Sequence, residues 1–463
     1  YGEIEDTVLR MAAGLAALDL APGARVFLRM GNTLDYALMF FAANAAGLVP
    51  IPASAMLSET EVASMLKDCG VTLIAWDGTL ALPDLPDGVK LLNAAAIDQL
   101  KRHTPTDYTD THKDDPAYLI YTSGTSARPK GVLHAQRAIW GRRPMYQGWY
   151  GMTCDDVMLH SGAFNWTYTL GTGLSDPWAN GATTLLYTGP RDIEVWPRLI
   201  ERYGATIMAS VPTLYRQMLK YCQLSPGKLA PLRHVLCAGE VLSSKLHENW
   251  VEKTGLNIYE ALGMSEISTY ISCSPSVPVL MGSPGKPQPG RRIVILPADT
   301  DSTVPLAPGE TGLIAVHRTD PGLMLGYWQR PDEEAAVFRG EWFIGGDLAS
   351  MDDDGYLHFA GRNDDIMNAF GYRVSPQEVE NAIAGHPGVA EVGVSAVDVA
   401  GEVTIIAAFV VPQGDGELQP QAILDHARTR LADYKMPRAV HIVPSLPRTG
   451  NGKVARKHLY KLL

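Results

Sequence analysis

Apolar and polar positions alternate between helical and strand-like patterns along the first 80 residues. Three helical patterns cover "IEDTVLRMAAGLAAL", "LDYALMFFAANAAG" and "ETEVASMLKDCG". Between and after them, three short apolar runs, "ARVFLRM", "LVPIP" and "VTLIAW", have the length and composition of buried strands. Strands separated by helices of this length indicate βαβ units and a parallel sheet.

A second alternating region follows. The runs "ATTLLY", "ATIMAS" and "RHVLCAG" predict strands, and "DIEVWPRLIERYG" and "PTLYRQMLKYC" predict the helices between them. After about residue 280 the strands become short and the turns rich in Gly and Pro, as in "GSPGKPQPG" and "LAPGETG", which indicates a smaller antiparallel β unit. A compact α+β stretch runs from "GRNDDIMNAFGYR" to the end. We therefore predict an α/β protein with two βαβ-type sheets and a small β subdomain, followed by a small α+β domain.

Residues 121–132, "YTSGTSARPKGV", follow the predicted strand "AYLI" and should form the loop at its end. Small residues allow backbone N–H groups to approach an anion, hydroxyls add donors, and Lys130 adds positive charge. The loop differs from a Walker loop, because Lys130 precedes Gly131 and Val132 follows where a hydroxyl residue is required. These residues alone leave two interpretations open, a phosphate-binding loop and an ordinary surface turn.

The composition and charge of the chain indicate a globular protein of more than one domain. Of 463 residues, 46% are hydrophobic and 19% charged, which is typical of a globular chain of more than one domain. The net charge of −11 gives no indication of nucleic-acid binding. Five scattered cysteines without a C-x-x-C pair indicate reduced thiols. Because no apolar stretch reaches membrane-spanning length and no signal-peptide pattern opens the chain, we predict a cytoplasmic location and no integral membrane segment.

Five motifs in order carry a family resemblance. They are the 121–132 loop, "CAGEVLS", "YEALGMSEIS", "EWFIGGDL" with "GRNDDIMNAFGYRVSPQEVE", and "PRTGNGKVARK". Together they resemble the adenylate-forming superfamily, in particular its acyl-CoA and aryl-CoA ligases, over nearly the whole chain. The resemblance implies a two-step reaction. A carboxylate attacks the α-phosphate of ATP and releases pyrophosphate, and a thiol, typically coenzyme A, then displaces AMP. It also implies ATP, Mg²⁺ and coenzyme A as cofactors.

The resemblance also assigns roles to individual residues. It implies that the opening loop contacts the ATP phosphates, that a segment after a buried strand lines the adenine and ribose pocket, that a glutamate holds Mg²⁺, and that an aspartate and an arginine reach the ribose or phosphate. In this sequence those residues are Thr122, Ser123, Gly124, Thr125, Ser126 and Lys130; Ala238, Gly239 and Glu240; Ser265 and Glu266; and Asp347 and Arg362. Ala127 and Leu262 depart from the glycine and the tyrosine that many members have.

In this family the C-terminal domain swings between the two half-reactions. The resemblance therefore divides the chain into an AMP-binding domain, 1–361, and a mobile domain, 363–463, with the hinge near Asp364. Lys453 would act in adenylation, whereas Gly371 and Arg373 would face the thiol tunnel in the second step. We expect Lys453, Lys130 and Glu266 to be the catalytic residues.

The acid pocket is expected to be lined by Phe164, Trp166 and Gly263. A tryptophan closes the pocket of short-chain members three residues before the glutamate, so Gly263 predicts an open pocket for a medium-chain, cyclic or aromatic acid. Asn165 replaces the aspartate of amino-acid-activating members, which argues against an α-amino acid. Two other functions stay open, a stand-alone enzyme that loads a carrier protein and a non-catalytic nucleotide binder. We expect a small-molecule carboxylic acid as substrate and a monomer or homodimer.

Overall fold

The computed structural model describes residues 1–463 except 123–129, 191, 366, 370–371, 400–402, 415–417 and 450–452. The first third of the chain contains the elements α1 (Gly2–Ala16), β1 (Arg25–Arg29), α2 (Leu34–Ala45), β2 (Val49–Pro52), α3 (Glu59–Cys69), β3 (Leu73–Trp76), β4 (Lys90–Leu92), α4 (Ala94–Leu100), β5 (Pro116–Thr122) and β6 (Lys130–Ala135).

The elements of the middle part are α5 (Arg137–Trp140), β7 (Val157–His160), α6 (Thr167–Leu170), α7 (Asp176–Ala179), β8 (Thr183–Leu185), α8 (Val195–Tyr203), β9 (Ile207–Ser210), α9 (Pro212–Tyr221), β10 (His234–Ala238), α10 (Ser244–Thr254), β11 (Ile258–Met264), β12 (Ser268–Ser272) and β13 (Lys286–Pro287). Two single π-helical turns, Tyr146–Tyr150 and Gly171–Ser175, lie among them.

After residue 290 follow β14 (Ile293–Leu296), β15 (Gly312–His317), β16 (Gly326–Tyr327), α11 (Pro331–Ala336), β17 (Phe338–Arg339), β18 (Trp342–Met351) and β19 (Leu357–Arg362). The last hundred residues contain β20 (Met367–Ala369), β21 (Tyr372–Val374), α12 (Pro376–Ala384), β22 (Val389–Val399), β23 (Val403–Pro412), α13 (Pro420–Arg428) and β24 (Ala439–Ile442), with 3₁₀ turns at Asn363–Asp365, Asp433–Lys435 and Arg456–Leu462.

Two sheets follow the predicted βαβ pattern. The first has the order β2-β1-β3-β4 and is parallel throughout. The second has the order β13-β12-β11-β10-β9-β7-β8, in which the strands from β8 to β11 are parallel and β12 and β13 are antiparallel. Most apolar side chains of their strands are buried, with Leu91 of the edge strand β4 an exception at 41% exposure. Helices cover the hydrophobic strands, and the predicted α/β class is confirmed.

Two of the smaller sheets are antiparallel, and the one built after residue 290 confirms the antiparallel unit that the Gly- and Pro-rich turns predicted. Strands β14, β15, β18, β17 and β19 form one of them, and β16, β6 and β5 form another. The C-terminal sheet is mixed, because β22 and β23 pair in antiparallel fashion and β24 pairs with β23 in parallel. Residues between Met367 and Met436 bury an apolar core of their own. None of the helices in the described part of the chain combines the length and apolar character needed to cross a bilayer.

One buried ion pair links three elements of the middle part. Arg142, which follows α5, donates through Nε and Nη2 to the two carboxylate oxygens of Asp176 at 2.7 Å each. Tyr150 donates to the same carboxylate at 2.7 Å. The third guanidinium nitrogen donates to the Ser268 hydroxyl at the start of β12. Arg142 is 5% exposed and Asp176 is 0% exposed, so the pair lies in a low-dielectric interior.

We expect Arg142→Met to lower the free energy of unfolding by about 3 to 5 kcal/mol, because the variant leaves Asp176 buried without its cation. The midpoint of urea denaturation measures the loss. Arg198→Met is the control, since Arg198 pairs with Asp192 at a site where the side chains are 65% and 58% exposed, and such pairs contribute less than about 1 kcal/mol. Equal midpoints for the two variants would contradict a stabilising role of the buried pair.

Candidate active site

The two strands that flank the predicted phosphate loop place Thr122 and Lys130 opposite each other. Thr122 ends β5, Lys130 begins β6, and the two residues are register partners. Lys130 was expected within an exposed turn. The structure instead makes it part of a strand and half-buries it. Ser123, Gly124, Thr125 and Ser126 lie outside the described residues, so their predicted contacts with phosphate stay predictions.

Lys130 has two described neighbours that sequence reasoning missed. Its ammonium forms an ion pair with Glu333 on α11 and lies 5.2 Å from the centroid of the Tyr327 ring. Tyr327 is brought there by β16, which pairs with β6 so that Tyr327 faces Val132. No motif signalled either contact, because the partners are about 200 residues away in sequence.

Glu266 lies in the turn between β11 and β12. The Tyr327 hydroxyl donates to Glu266 Oε1 at 2.7 Å, so one tyrosine contacts both Lys130 and Glu266. The turn is fixed through its backbone as well. The Met324 amide donates to the Glu266 carbonyl at 2.8 Å, and His134 Nε2 lies 2.9 Å from the Ser265 carbonyl oxygen.

The surroundings of Glu266 fit Mg²⁺. Within the described ranges, no group of three or more carboxylate, imidazole or thiolate side chains converges on a metal position. A single half-buried carboxylate matches the way Mg²⁺ is held in nucleotide sites, where phosphates and water complete the six oxygen ligands.

Asp347 and Arg362 face each other on β18 and β19. Arg362 Nη1 donates to Asp347 Oδ1 at 3.1 Å. Asp347 is only 5% exposed; burial raises the pKa of its carboxyl, and the neighbouring Arg362 opposes that rise. Gly346 has φ +83°, and a Cβ there would lie 3.1 Å from Arg362 Nη2. A glycine therefore suits both the left-handed backbone and the close approach of the guanidinium.

Lys453, from the C-terminal part of the chain, lies within electrostatic range of Asp347 and Arg362. The residue is exposed, but nearby protein atoms desolvate its ammonium and lower its pKa, while the carboxylates of Asp347 and Glu240 act in the opposite direction. Arg216 of α9 lies 3.6 Å from Glu391 of β22, which adds an ion pair between the two parts of the chain. Asp347 and Arg362 are thus in direct contact, and the charges of Asp347 and Glu240, from two other segments of the chain, influence Lys453.

The segment Ala238, Gly239, Glu240 continues β10 at its carboxyl end. Ala238 is buried as the last residue of the strand, and Gly239 turns the chain with φ +90°. Glu240 Oε2 accepts hydrogen bonds from the Thr213 amide at 3.2 Å and the Thr213 hydroxyl at 2.7 Å. Thr213 is the second residue of α9, which follows the neighbouring strand β9, and its contact with Glu240 was not predicted. The adjacent parallel strands β9 and β10 therefore place Thr213 and the 238–240 segment at the same edge of the sheet.

The two aromatic residues expected to line the acid pocket differ in burial. Phe164 is 2% exposed and packs in the core, with its ring 5.6 Å from that of Tyr36. Trp166 is partly exposed, and its ring would lie 2.9 Å from a Cβ at Gly239. Of the two aromatic residues, Trp166 is the one that contacts the segment after β10.

The interpretation of Gly263 as open pocket volume needs correction. A Cβ at this position would lie 2.6 Å from the Ser268 carbonyl oxygen and 2.7 Å from Thr269 Cα. The register of β11 against β12 shifts between Leu262 and Gly263, and this irregularity brings the neighbouring backbone close. The glycine therefore makes room for β12, and a side chain at position 263 would first displace the backbone of β12.

The remaining predicted site residues are in the C-terminal part. Gly371 lies outside the described residues. Arg373 lies in β21, and Asp364 lies in the 3₁₀ turn Asn363–Asp365. Their roles stay predictions.

Glu260 was missed although it lies within the quoted "YEALGMSEIS" motif. Its Oε1 accepts a hydrogen bond from the Leu242 amide at 3.0 Å, which ties β11 to the segment after β10. Burial raises the pKa of the Glu260 carboxyl to about 7, and the Leu242 hydrogen bond opposes the shift. Among the described residues Glu260 has no ion-pair partner, and the spacing of the motif gave no indication of such a carboxyl.

The site places residues expected to bind a nucleotide near the carboxyl ends of parallel strands. A smaller C-terminal unit adds a lysine. This arrangement is typical of nucleotide-dependent enzymes. The chain belongs to the AMP-binding enzyme family. The model of that family matches residues 1–328, and the model of the AMP-binding enzyme C-terminal domain matches residues 378–453. The resemblance to adenylate-forming enzymes is confirmed.

Three known proteins illustrate the relationship. The human mitochondrial acyl-coenzyme A synthetase ACSM5 is 31% identical over 476 residues, covering 96% of this chain and 80% of the relative. A benzoate CoA ligase from Burkholderia xenovorans LB400 is 28% identical, with a TM-score of 0.88 and coverage of 100% and 94%. ATP-bound MatB from Rhodopseudomonas palustris is 25% identical, with a TM-score of 0.91 and coverage of 100% and 93%. The predicted enzyme class, an AMP-forming acid–thiol ligase, is confirmed by this family membership and by relatives that are named as a coenzyme A synthetase and a CoA ligase.

We expect Glu260→Gln to raise stability at pH 8 more than at pH 5. A carboxyl whose pKa rises from 4.5 in the unfolded chain to about 7 in the fold contributes stability that is present below pH 4.5 and lost as the pH rises to 7. Glutamine keeps an acceptor for Leu242 and carries no charge. The difference in melting temperature between variant and parent, followed from pH 5 to 8.5, checks this.

Glu252→Gln, at an exposed carboxylate of α10, is the control and should show no such trend. A stability difference for Glu260→Gln that does not change with pH would contradict the elevated pKa.

Proposed function

We propose that the chain is an ATP-dependent acid:CoA ligase that adenylates a carboxylic acid, releases pyrophosphate and transfers the acyl group to coenzyme A. The observation that supports this most directly is the buried Asp347 carboxylate held by Arg362 at 3.1 Å, with Lys453 near enough for Asp347 and Glu240 to influence its pKa. A mobile cation next to fixed ribose and phosphate contacts is what adenylation requires, since two anions must approach each other. The names of the relatives support the same reaction.

Each group has a definite task in this proposal. The buried Asp347 carboxylate accepts from the ribose hydroxyls and Arg362 keeps it in place. Lys130 neutralises charge on the polyphosphate, and Lys453 neutralises charge that develops between the acid carboxylate and the α-phosphate. Glu266 would hold Mg²⁺, and the bound ion would supply positive charge that offsets the negative charge of the phosphates.

The C-terminal unit, 363–463, would then move relative to 1–361 about a hinge near Asp364, and present Gly371 and Arg373 to the thiol. A core of its own in that unit is compatible with movement as a body. The cytoplasmic location and the monomeric or dimeric state also stay proposals.

For the acid we propose a medium-chain, cyclic or aromatic carboxylate. Benzoate and anthranilate are named for two structural neighbours. The support from Gly263 no longer applies, so the proposal depends on Trp166 as the apolar wall and on Asn165, which offers no carboxylate for an α-ammonium group. The alternative function, loading of a carrier protein, shares the first half-reaction and differs only in the thiol acceptor.

Pyrophosphate release measured over acetate, hexanoate, cyclohexanecarboxylate and benzoate, with and without coenzyme A, tests the function. We expect repeated turnover only with coenzyme A, with AMP as co-product, and a preference of about tenfold or more for the larger acids over acetate, because each buried methylene discriminates by about 1 to 3 kcal/mol. Turnover with a phosphopantetheinyl carrier protein but not with coenzyme A would favour the alternative. A preference for acetate would contradict the proposed acid class.

We expect Lys453→Ala to separate the two half-reactions. Acid-dependent exchange between pyrophosphate and ATP should fall by about a hundredfold or more, as on loss of other preorganised charges, while thioester formation from supplied acyl-AMP should persist. Lys461→Ala, at an exposed lysine of the same terminal segment, should affect neither step. Equal losses in both steps would assign Lys453 to folding or to binding of coenzyme A.

A further inference from the structure

We propose that the Glu333 carboxylate competes with polyphosphate for the Lys130 ammonium. Glu333 pairs with Lys130 in the free protein, and this ion pair breaks when a polyphosphate binds. The inference depends on the proposed function in one respect, the assignment of Lys130 to the phosphates. It adds a positioning residue, on a helix outside the five sequence motifs, that tunes the affinity of the site for polyphosphate.

The geometry of Lys130 supports competition between anions. Its ammonium is paired with the Glu333 carboxylate and lies over the Tyr327 ring. The Lys130 side chain is 24% exposed and that of Glu333 is 36% exposed, so an incoming anion can reach the pair from solvent. An ammonium has three N–H donors and one positive charge. Phosphate oxygens can use all of them only if the Glu333 carboxylate is displaced.

Glu333 has a second cation nearby, which makes its displacement possible. Arg330 Nε lies 3.7 Å from Glu333 Oε1, and Arg330 Nη2 also pairs with Asp68 at 2.6 Å. When Lys130 turns to phosphate, the Glu333 carboxylate still faces a guanidinium and is not left as an unpaired charge. The same Asp68 accepts a hydrogen bond from Tyr121 at 2.6 Å, so α11 is tied to β5 next to the predicted phosphate loop.

Tyr327 keeps Lys130 in place during the exchange. The face of its ring attracts the ammonium whether or not Glu333 is engaged, and its hydroxyl is held by Glu266 at 2.7 Å. Removing the carboxylate should therefore free the charge of Lys130 without releasing its side chain from the site. This distinguishes competition from a supporting role, in which loss of Glu333 would leave Lys130 misplaced and weaken binding.

The test is calorimetric titration of the full chain with inorganic pyrophosphate and with ATP, in EDTA and without acid or coenzyme A. We expect Glu333→Gln to tighten pyrophosphate binding by about three- to tenfold, in the range of a half-buried ion pair. Asp332→Asn is the matched control. It removes the same charge from the same turn of α11, at an exposed residue, and should change the dissociation constant less than about twofold.

A double-mutant cycle makes the assignment specific. Lys130→Met should weaken pyrophosphate binding, and Glu333→Gln should give no gain in the Lys130→Met background, because the competed cation is gone. A gain that persists without Lys130 would overturn the inference, as would unchanged or weaker binding in Glu333→Gln. Failure of the parent chain to bind ATP or release pyrophosphate with any acid would overturn the proposed function itself, whereas a competent parent with an unaffected Glu333→Gln overturns only this inference.

Discussion

The buried pair of Arg142 and Asp176 is the interaction on which the arrangement of the site depends. Charges removed from water are costly unless every group has a partner, and here the guanidinium and the carboxylate satisfy each other with help from Tyr150 and Ser268. Ser268 adopts φ +73°, a strained backbone for a residue with a side chain. The hydrogen bond from Arg142 thus fixes the start of β12, two residues after Glu266.

Around this fixed turn, the candidate site is assembled from several sheets. Lys130 comes from the three-stranded antiparallel sheet, Glu240 from the end of a parallel strand, Asp347 from the second antiparallel sheet and Lys453 from the C-terminal part. The chain as a whole carries a net charge of −11, so cations for a polyphosphate must be concentrated locally. Each is held beside a carboxylate, Lys130 at Glu333 and Arg362 at Asp347.

The sequence allowed much of the fold and the order of the site segments to be predicted, because buried parallel strands and their polar ends leave a periodic signal. It did not determine the direction of individual side chains. Phe164 and Trp166 are two residues apart, yet one packs in the core and the other contacts Gly239. At Gly263 a register shift turns the Cα–Cβ direction toward β12. The contacts of Tyr327 and Thr213 were not predicted, because their partners are distant in sequence. Contacts between distant segments leave no periodic pattern in the sequence.

The contact between Trp166 and Gly239 has a consequence for how selectivity can change. The wall proposed for the acid and the turn proposed for the nucleotide share one van der Waals surface, so neither can be reshaped alone. In a laboratory evolution series that selects for a bulkier acid by altering position 166, the affinity for ATP would therefore change as well. Compensating substitutions should then accumulate on the nucleotide side, in α9 and the segment after β10, rather than around the acid.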